Sequence, residues 1–144
     1  MKKLAIFFFI VVIIVAGVSY AYLKYKANYY EAKRQNNQFD SYYNQEFYGA
    51  DVVTIINRAM DNNLTNKVER DNKGKFIEND TNSIKIDMKM LDNDKTYDME
   101  TLYAGGLDKF IQYYNDIKFK CTKVDYHNSN GKVKYLLIEQ ITQW

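Results

Sequence analysis

The chain has 144 residues, a formal net charge of +2 and one cysteine, Cys121. A single domain is the expectation at this length, and the small net charge argues against nucleic acid as a partner. One cysteine excludes an intrachain disulfide and a thiolate metal cage.

The chain begins with a hydrophobic segment. Residues 4–23 carry no charge, and twelve of residues 4–18 are Leu, Ile, Val or Phe. As a helix, residues 4–23 would reach about 30 Å, the thickness of the hydrocarbon core of a bilayer. The twelve side chains favour insertion by about 4–7 kcal/mol. Tyrosines and lysines follow at positions 20–26, where an interfacial belt would lie. The sequence predicts a membrane anchor over residues 1–27.

A cleaved signal peptide is the alternative interpretation of this segment. Lys2-Lys3 would form its basic start, and Ser19-Tyr20-Ala21 offers small residues at a cleavage site. The long apolar run favours an uncleaved, single-pass anchor in the cell membrane.

The orientation of such an anchor is open. More basic residues follow the apolar run, at Lys24, Lys26, Lys33 and Arg34, than precede it, which favours a cytoplasmic domain. A two-lysine start is typical of export signals, and our interpretation is an extracytoplasmic domain.

Residues spaced alternately three and four apart form a seam that continues beyond the anchor and predicts an amphipathic stalk helix over residues 28–48. Its seam consists of Tyr22, Tyr25, Tyr29, Ala32, Asn36, Phe39 and Tyr43. The seam could face a second copy and support self-association, or it could pack on the protein's own domain. Tyr and Ala are poor coiled-coil residues, which favours packing on the domain.

The remaining residues, 49–144, are predicted to form an α+β domain. Helical spacing of apolar residues predicts two short helices, over residues 50–62 and 107–116. Strands are predicted over residues 75–78, 84–90, 96–103, 118–127 and 132–141, with apolar and polar residues alternating over 84–90. Asn130-Gly131 joins the last two strands and is a strong hairpin signal. The expected architecture is a small antiparallel sheet with the stalk and short helices packed on it.

One stretch resembles the start of a calcium loop. Asp92, Asp94 and Thr96 have the right spacing, but the loop needs Gly at its sixth position and Glu at its twelfth. Those positions hold Tyr97 and Tyr103, so a polar hairpin turn is expected instead.

Two single residues could in principle support chemistry. His127 is the only histidine and adjoins the predicted hairpin turn, where an exposed side chain without catalytic partners is expected. Cys121 shares the strand alternation of Phe119, which predicts a buried and inert thiol.

A carboxylate pair and a glycine pair complete the candidates. Asp98 and Glu100 would lie on the same face of a predicted strand, and a solvated sheet face explains them. Gly105-Gly106 lacks the context of a phosphate-binding loop. The sequence therefore predicts no catalytic, cofactor-binding or metal-binding residues and no enzymatic activity.

The order of segments, together with Gly49–Asn63, resembles type IV pilin-like and pseudopilin-like proteins. Pilins carry a Gly or Ala cleavage point followed by Phe and a Glu at the fifth mature residue. Here Lys3-Leu4-Ala5 stands where that cleavage point would lie, and residues 1–30 contain no acidic residue. The resemblance implies a non-enzymatic anchored domain that contacts other proteins in a cell-envelope assembly. The alternative is a secreted or anchored domain that binds a small ligand, which would require a concave polar pocket.

Overall fold

In the computed structural model, which describes residues 1–143, four helices and five strands follow one another along the chain. They are α1 (Lys2–Asp40), β1 (Glu46–Tyr48), α2 (Gly49–Thr65), β2 (Lys85–Lys89), β3 (Thr96–Asp98), α3 (Met99–Gly105), α4 (Leu107–Tyr114), β4 (Lys118–Tyr126) and β5 (Val133–Gln140). The predicted α+β class is confirmed. The chain divides into two compact units, and the boundary lies within α1 between Arg34 and Gln35.

The first unit consists of the N-terminal part of α1. Every side chain of residues 4–23 is exposed, including all the large apolar ones. By length and composition, α1 is a helix able to cross a membrane. A signal sequence would have the same properties, so both interpretations of the segment are consistent with the helix.

In the second unit, α1 ends at Asp40, whereas the stalk helix was predicted to reach residue 48. Asn44 has a φ of 58° and donates its N–H to the carbonyl of Cys121 at 2.9 Å. This contact with β4 replaces a further helical turn, and β1 follows. Phe39 of the predicted seam is 1% exposed within this unit, while Tyr43 lies outside the helix and is exposed.

The five strands form one sheet in the order β1-β4-β5-β2-β3. Three of the pairings are antiparallel, but β2 and β5 run parallel, with Ile86 opposite Leu136. The predicted antiparallel sheet is therefore mixed. The chain between β2 and β5 passes through β3, α3, α4 and β4, which gives the long crossover that a parallel pair requires.

The core lies between one face of the sheet and helices α2, α3 and α4. The broad apolar face predicted for the helix after Gly49 is confirmed, because Val52, Ile55, Ile56 and Ala59 are fully buried. The helix extends to Thr65, beyond the predicted end at Asn62, and brings Asn63 into the interior.

Two predicted strands differ from the structure. Residues 75–78 form no strand; Phe76 makes only an isolated bridge with Arg70. The strand predicted over 96–103 stops at Asp98, where α3 begins. The Asp98 carboxylate accepts the backbone N–H of Thr101 at 2.8 Å, and this N-cap favours a helix over continued extension.

Candidate functional site

A polar hollow of about 460 Å³ lies between the β4–β5 turn and the loop that precedes β2. Its lining consists of Glu78, Asn79, Asp80, His127, Asn128, Ser129 and Lys134. All of these side chains can form hydrogen bonds. The hollow is the concave polar feature that a ligand-binding domain would require.

The loop side of the hollow is shaped by Asn79. Its side-chain oxygen accepts the backbone N–H groups of Thr81, Asn82 and Ser83, at 3.1, 2.8 and 2.9 Å. Asn commonly folds the residues that follow it in this way, because its short side chain imitates a backbone carbonyl. The loop is consequently held in one conformation, with Asp80 exposed at its tip.

The opposite side is the β4–β5 turn, which is bonded to the loop. Asn130 donates its amide N–H to the carbonyl of Thr81 at 2.7 Å, and the Ser129 hydroxyl donates to the carbonyl of Asp80. Gly131 has a φ of 69°, but Asn130 has no positive φ, so the predicted hairpin is present with a longer connection than a two-residue Asn-Gly turn, closed by the N–H of His127 bonded to the carbonyl of Lys132. Both walls of the hollow are therefore fixed by hydrogen bonds between residues about 50 positions apart.

The same turn is also bonded to the end of α1. The Asn36 amide donates to the carbonyl of Gly131 at 2.8 Å, and its oxygen accepts the N–H of Val133 at 2.8 Å. The polar residue inside the predicted seam thus has a partner within its own domain. This supports packing of the seam's end on the domain.

His127 is buried, so the prediction of an exposed side chain was wrong. The residue is 3% exposed, and Nε2 lies 2.8 Å from the carbonyl oxygen of Ser83. A carbonyl can only accept, so Nε2 carries a hydrogen and donates it to Ser83. Sequence reasoning missed this burial because Ser83 is 44 residues away.

The charges around the hollow are two carboxylates and one ammonium group. Lys134 Nζ lies 3.7 Å from a carboxylate oxygen of Glu78, whose side chain is 63% exposed. An ion pair this exposed contributes little to stability. The Ser129 hydroxyl is engaged with a backbone carbonyl, so it is not placed as an activated nucleophile. The arrangement can hydrogen-bond a small polar molecule.

Among residues 1–143, no group of three or more His, Cys, Asp or Glu side chains is placed to hold a metal ion. The carboxylate of Asp92 accepts the Gln140 side-chain amide at 2.9 Å. Asp94 has a φ of 51° in the connection between β2 and β3. This segment is the polar turn that the sequence predicted.

Asp98 and Glu100 do not share a strand face. Asp98 caps α3 and pairs with Lys75, while Glu100 accepts the backbone N–H of Phe76 at 3.1 Å. Partial burial would raise the pKa of Asp98, but the hydrogen bonds from Lys75 and Thr101 outweigh it and hold that pKa below its usual value. Both carboxylates therefore fasten the loop around residue 75 to the start of α3.

The Cys121 thiol is fully buried, as predicted. Burial raises its pKa to about 11, and Sγ lies 3.5 Å from the carbonyl of Lys123. A protonated thiol is a poor nucleophile. Gly106 has a φ of 94° and separates α3 from α4, so the glycine pair serves as a helix break.

Comparison of the chain with family models, with curated proteins and with solved structures finds no match. A long N-terminal apolar helix followed by a small α+β domain fits a pilin-like architecture only loosely. The function proposed for the chain therefore rests on its own helix, domain and polar hollow.

Proposed function

We propose that this chain is a single-pass, membrane-anchored, non-enzymatic protein whose domain mediates protein contacts in a cell-envelope assembly. The observation that carries the proposal is the exposed apolar run of residues 4–23. Exposing that many apolar side chains to water is strongly unfavourable, and a bilayer removes the cost. The loosely pilin-like order of segments supports a role in assembly.

The surroundings of the reactive side chains support a non-enzymatic role. Asp98, Glu100 and Cys121 have the structural partners described above, and the Cys121 thiol is held protonated by burial. Enzymes generally bring a nucleophile, a base and an oxyanion donor together in one pocket. The polar hollow contains His127 but pairs it with a backbone carbonyl.

Membrane attachment is tested by fractionation of cells that produce the full chain with a C-terminal tag. We expect the protein to stay in the membrane pellet after a carbonate wash and to keep its N-terminal residues. The double variant Ile13→Lys and Val15→Lys should enter the soluble fraction, because two charges at the centre of the span oppose insertion by about 5–7 kcal/mol. Ile77→Lys, at an exposed position of the domain, is the matched control. A soluble wild-type form that begins at Tyr22 would show a cleaved signal peptide.

The extracytoplasmic orientation is tested by a thiol reagent that cannot cross membranes. Lys95→Cys places a thiol at an exposed turn, and Cys121→Ala removes the native one. We expect labelling in intact cells. Labelling that appears only after lysis would place the domain in the cytoplasm.

The second candidate function is binding of a small polar ligand in the hollow. The supporting observation is the set of hydrogen-bonding side chains that line the hollow together with His127. Thermal melts with a panel of sugars, amino acids and polyamines would test it, since a bound ligand raises the melting temperature. The rise should disappear in Asp80→Asn, which changes an exposed charge at the hollow, and persist in Asp61→Asn on α2.

A further inference from the structure

The part of α1 that directly follows the apolar run is basic. Residues 24–34 contain four basic residues, Lys24, Lys26, Lys33 and Arg34, and one acidic residue, Glu31. All four basic side chains are exposed on the helix. Basic residues thus flank both ends of the segment proposed to cross the membrane, with Lys2 and Lys3 before it and these four after it.

Tyrosine rings accompany these lysines. Lys26 Nζ lies 6.0 Å from the ring centroid of Tyr30, one helical turn further on, and Tyr29 and Tyr30 contact each other edge to face at 5.7 Å. Tyr22 and Tyr25 are also exposed. Tyrosine is enriched at the boundary between hydrocarbon and headgroups, because its ring is apolar and its hydroxyl is polar.

The helical rise sets the depth of each charge. With a rise of 1.5 Å per residue, Lys24 and Lys26 lie about 1.5 and 4.5 Å beyond Leu23, the last residue of the apolar run. Lys33 and Arg34 lie about 15 Å beyond it. The headgroup layer on each side of a bilayer is about 5–8 Å thick. The first two lysines thus fall within this layer, and the other two basic residues fall outside it.

We propose that Lys24 and Lys26 bind the phosphate groups of anionic phospholipids in the leaflet where the span ends. An ammonium group is a compact charge that suits phosphate, and the adjoining span keeps it at the depth of the lipid phosphates. The rings of Tyr22 and Tyr25, which lie within about 3 Å of Leu23 along the helix axis, hold this depth at the edge of the hydrocarbon. The inference rests on the proposed membrane anchor and adds the class of lipid that the anchor selects.

The test uses the full chain reconstituted in phosphatidylcholine vesicles that contain spin-labelled phosphatidylglycerol or spin-labelled phosphatidylcholine. The measured quantity is the ratio of the two association constants for lipid in contact with the protein. We expect the wild type to prefer phosphatidylglycerol at low salt, by up to about fivefold for each lysine within the headgroup layer. The preference should fall in high salt.

Two double variants that each remove two positive charges distinguish direct contact with lipid phosphates from long-range electrostatic attraction to the membrane. Lys24→Gln with Lys26→Gln should lower the ratio by up to about fivefold for each lysine removed, to the value set by Lys2 and Lys3 at the other end of the span. Lys33→Gln with Arg34→Gln should keep most of the preference, because those charges lie beyond the headgroups. A wild-type ratio of one, or an equal fall in both variants, would overturn the proposal. Flotation of the wild type with pure phosphatidylcholine vesicles tests the anchor separately. A chain that does not float would overturn the anchor and this inference with it.

Discussion

The side chain of Asn63 pairs with the backbone of Ile84 as a neighbouring strand would. Its amide N–H donates to the carbonyl of Ile84 and its oxygen accepts the N–H of Ile84, both at 2.8 Å. Asn63 is fully buried and Ile84 is 1% exposed. The contact ties the last turn of α2 to the residue that precedes β2, so it sets the position of that strand relative to the helix.

Replacing Asn63 with Leu should destabilise the domain by at least about 2 kcal/mol. The substitution leaves the N–H and the carbonyl of Ile84 buried without their partner, and each such group costs about 1–3 kcal/mol. Thermal or urea unfolding of the full chain in detergent measures the change. Asn57→Leu, at an exposed position of the same helix, should stay within about 0.5 kcal/mol. Equal stabilities for the two variants would contradict the role given to Asn63.

Replacing Phe39 with Asp should lower the melting temperature without changing self-association. Phe39 is 1% exposed in the core of its own domain. The variant therefore loses the stabilisation of a buried aromatic side chain, about 3–5 kcal/mol, and places a charge in apolar surroundings. Asn37→Asp adds the same charge at an exposed position of the helix and should cost less than about 1 kcal/mol. Loss of cross-linked oligomers at an unchanged melting temperature would instead show that the seam faces a second copy.

Replacing Asn36 with Leu distinguishes the two interpretations of the seam independently. In a helical oligomer, removal of a buried polar residue tends to increase stability. Here the amide binds Gly131 and Val133, so we expect destabilisation of about 1–3 kcal/mol. The melting temperature of the variant distinguishes the two interpretations of the seam, and a melting temperature above that of the wild type would favour an oligomeric stalk.

Replacing Gly49 with Ala should destabilise the domain by at least about 1–3 kcal/mol, the usual range for overpacking. A Cβ atom at this position would lie 2.1 Å from the carbonyl oxygen of Tyr114, which is backbone and cannot turn away. At Gly105, no heavy atom lies within 4 Å of an added Cβ. Gly105→Ala should therefore be neutral or stabilise by up to about 1 kcal/mol, because it restricts the unfolded chain. Comparable losses in both variants would show that helix packing at Gly49 is not the cause.

The ion pair of Asp98 and Lys75 predicts a dependence of stability on pH. Because the pKa of Asp98 is lower in the folded state than the usual 3.8, its contribution is present above about pH 5 and is lost as the pH falls through 3.8 to the folded-state value. Asp98→Asn keeps an acceptor for the N–H of Thr101 but loses the charge. The difference in unfolding free energy between wild type and variant should therefore shrink as the pH falls from about 5 to about 3. Asp61→Asn, at an exposed position of α2, is the control. An unchanged difference over this range would contradict the prediction.

The elements that could be predicted from the sequence are those with local signals. Ile86 and Met88 alternate with exposed Lys85 and Lys89, and a period of two indicates a strand wherever the chain lies in the fold. The positive φ of Gly131 in the β4–β5 turn is a backbone conformation that glycine adopts readily, so the turn has a local signal. The apolar run of residues 4–23 needs no partner within the chain to become a helix.

The features that could not be predicted depend on distant residues or on competing local signals. Thr96 and Tyr97 favour a strand, and the same stretch contains the cap of Asp98 on Thr101, which ends the strand early. The parallel pairing of β2 with β5 follows from the whole crossover. The polar hollow combines residues 78–80 with residues 127–134, and neither segment carries a sign of the other.

The bonds between Asn36 and the β4–β5 turn have a consequence for biosynthesis. Asn36 and Val133 are separated by 97 residues, so ribosomes that add about 5–20 residues per second need about 5–20 s to supply the partner. During that interval the hydrophobic start of α1 is already synthesised, while Phe39 lacks the core side chains that bury it. The end of α1 therefore waits, apolar side chains uncovered, until the last strand of the sheet has been made.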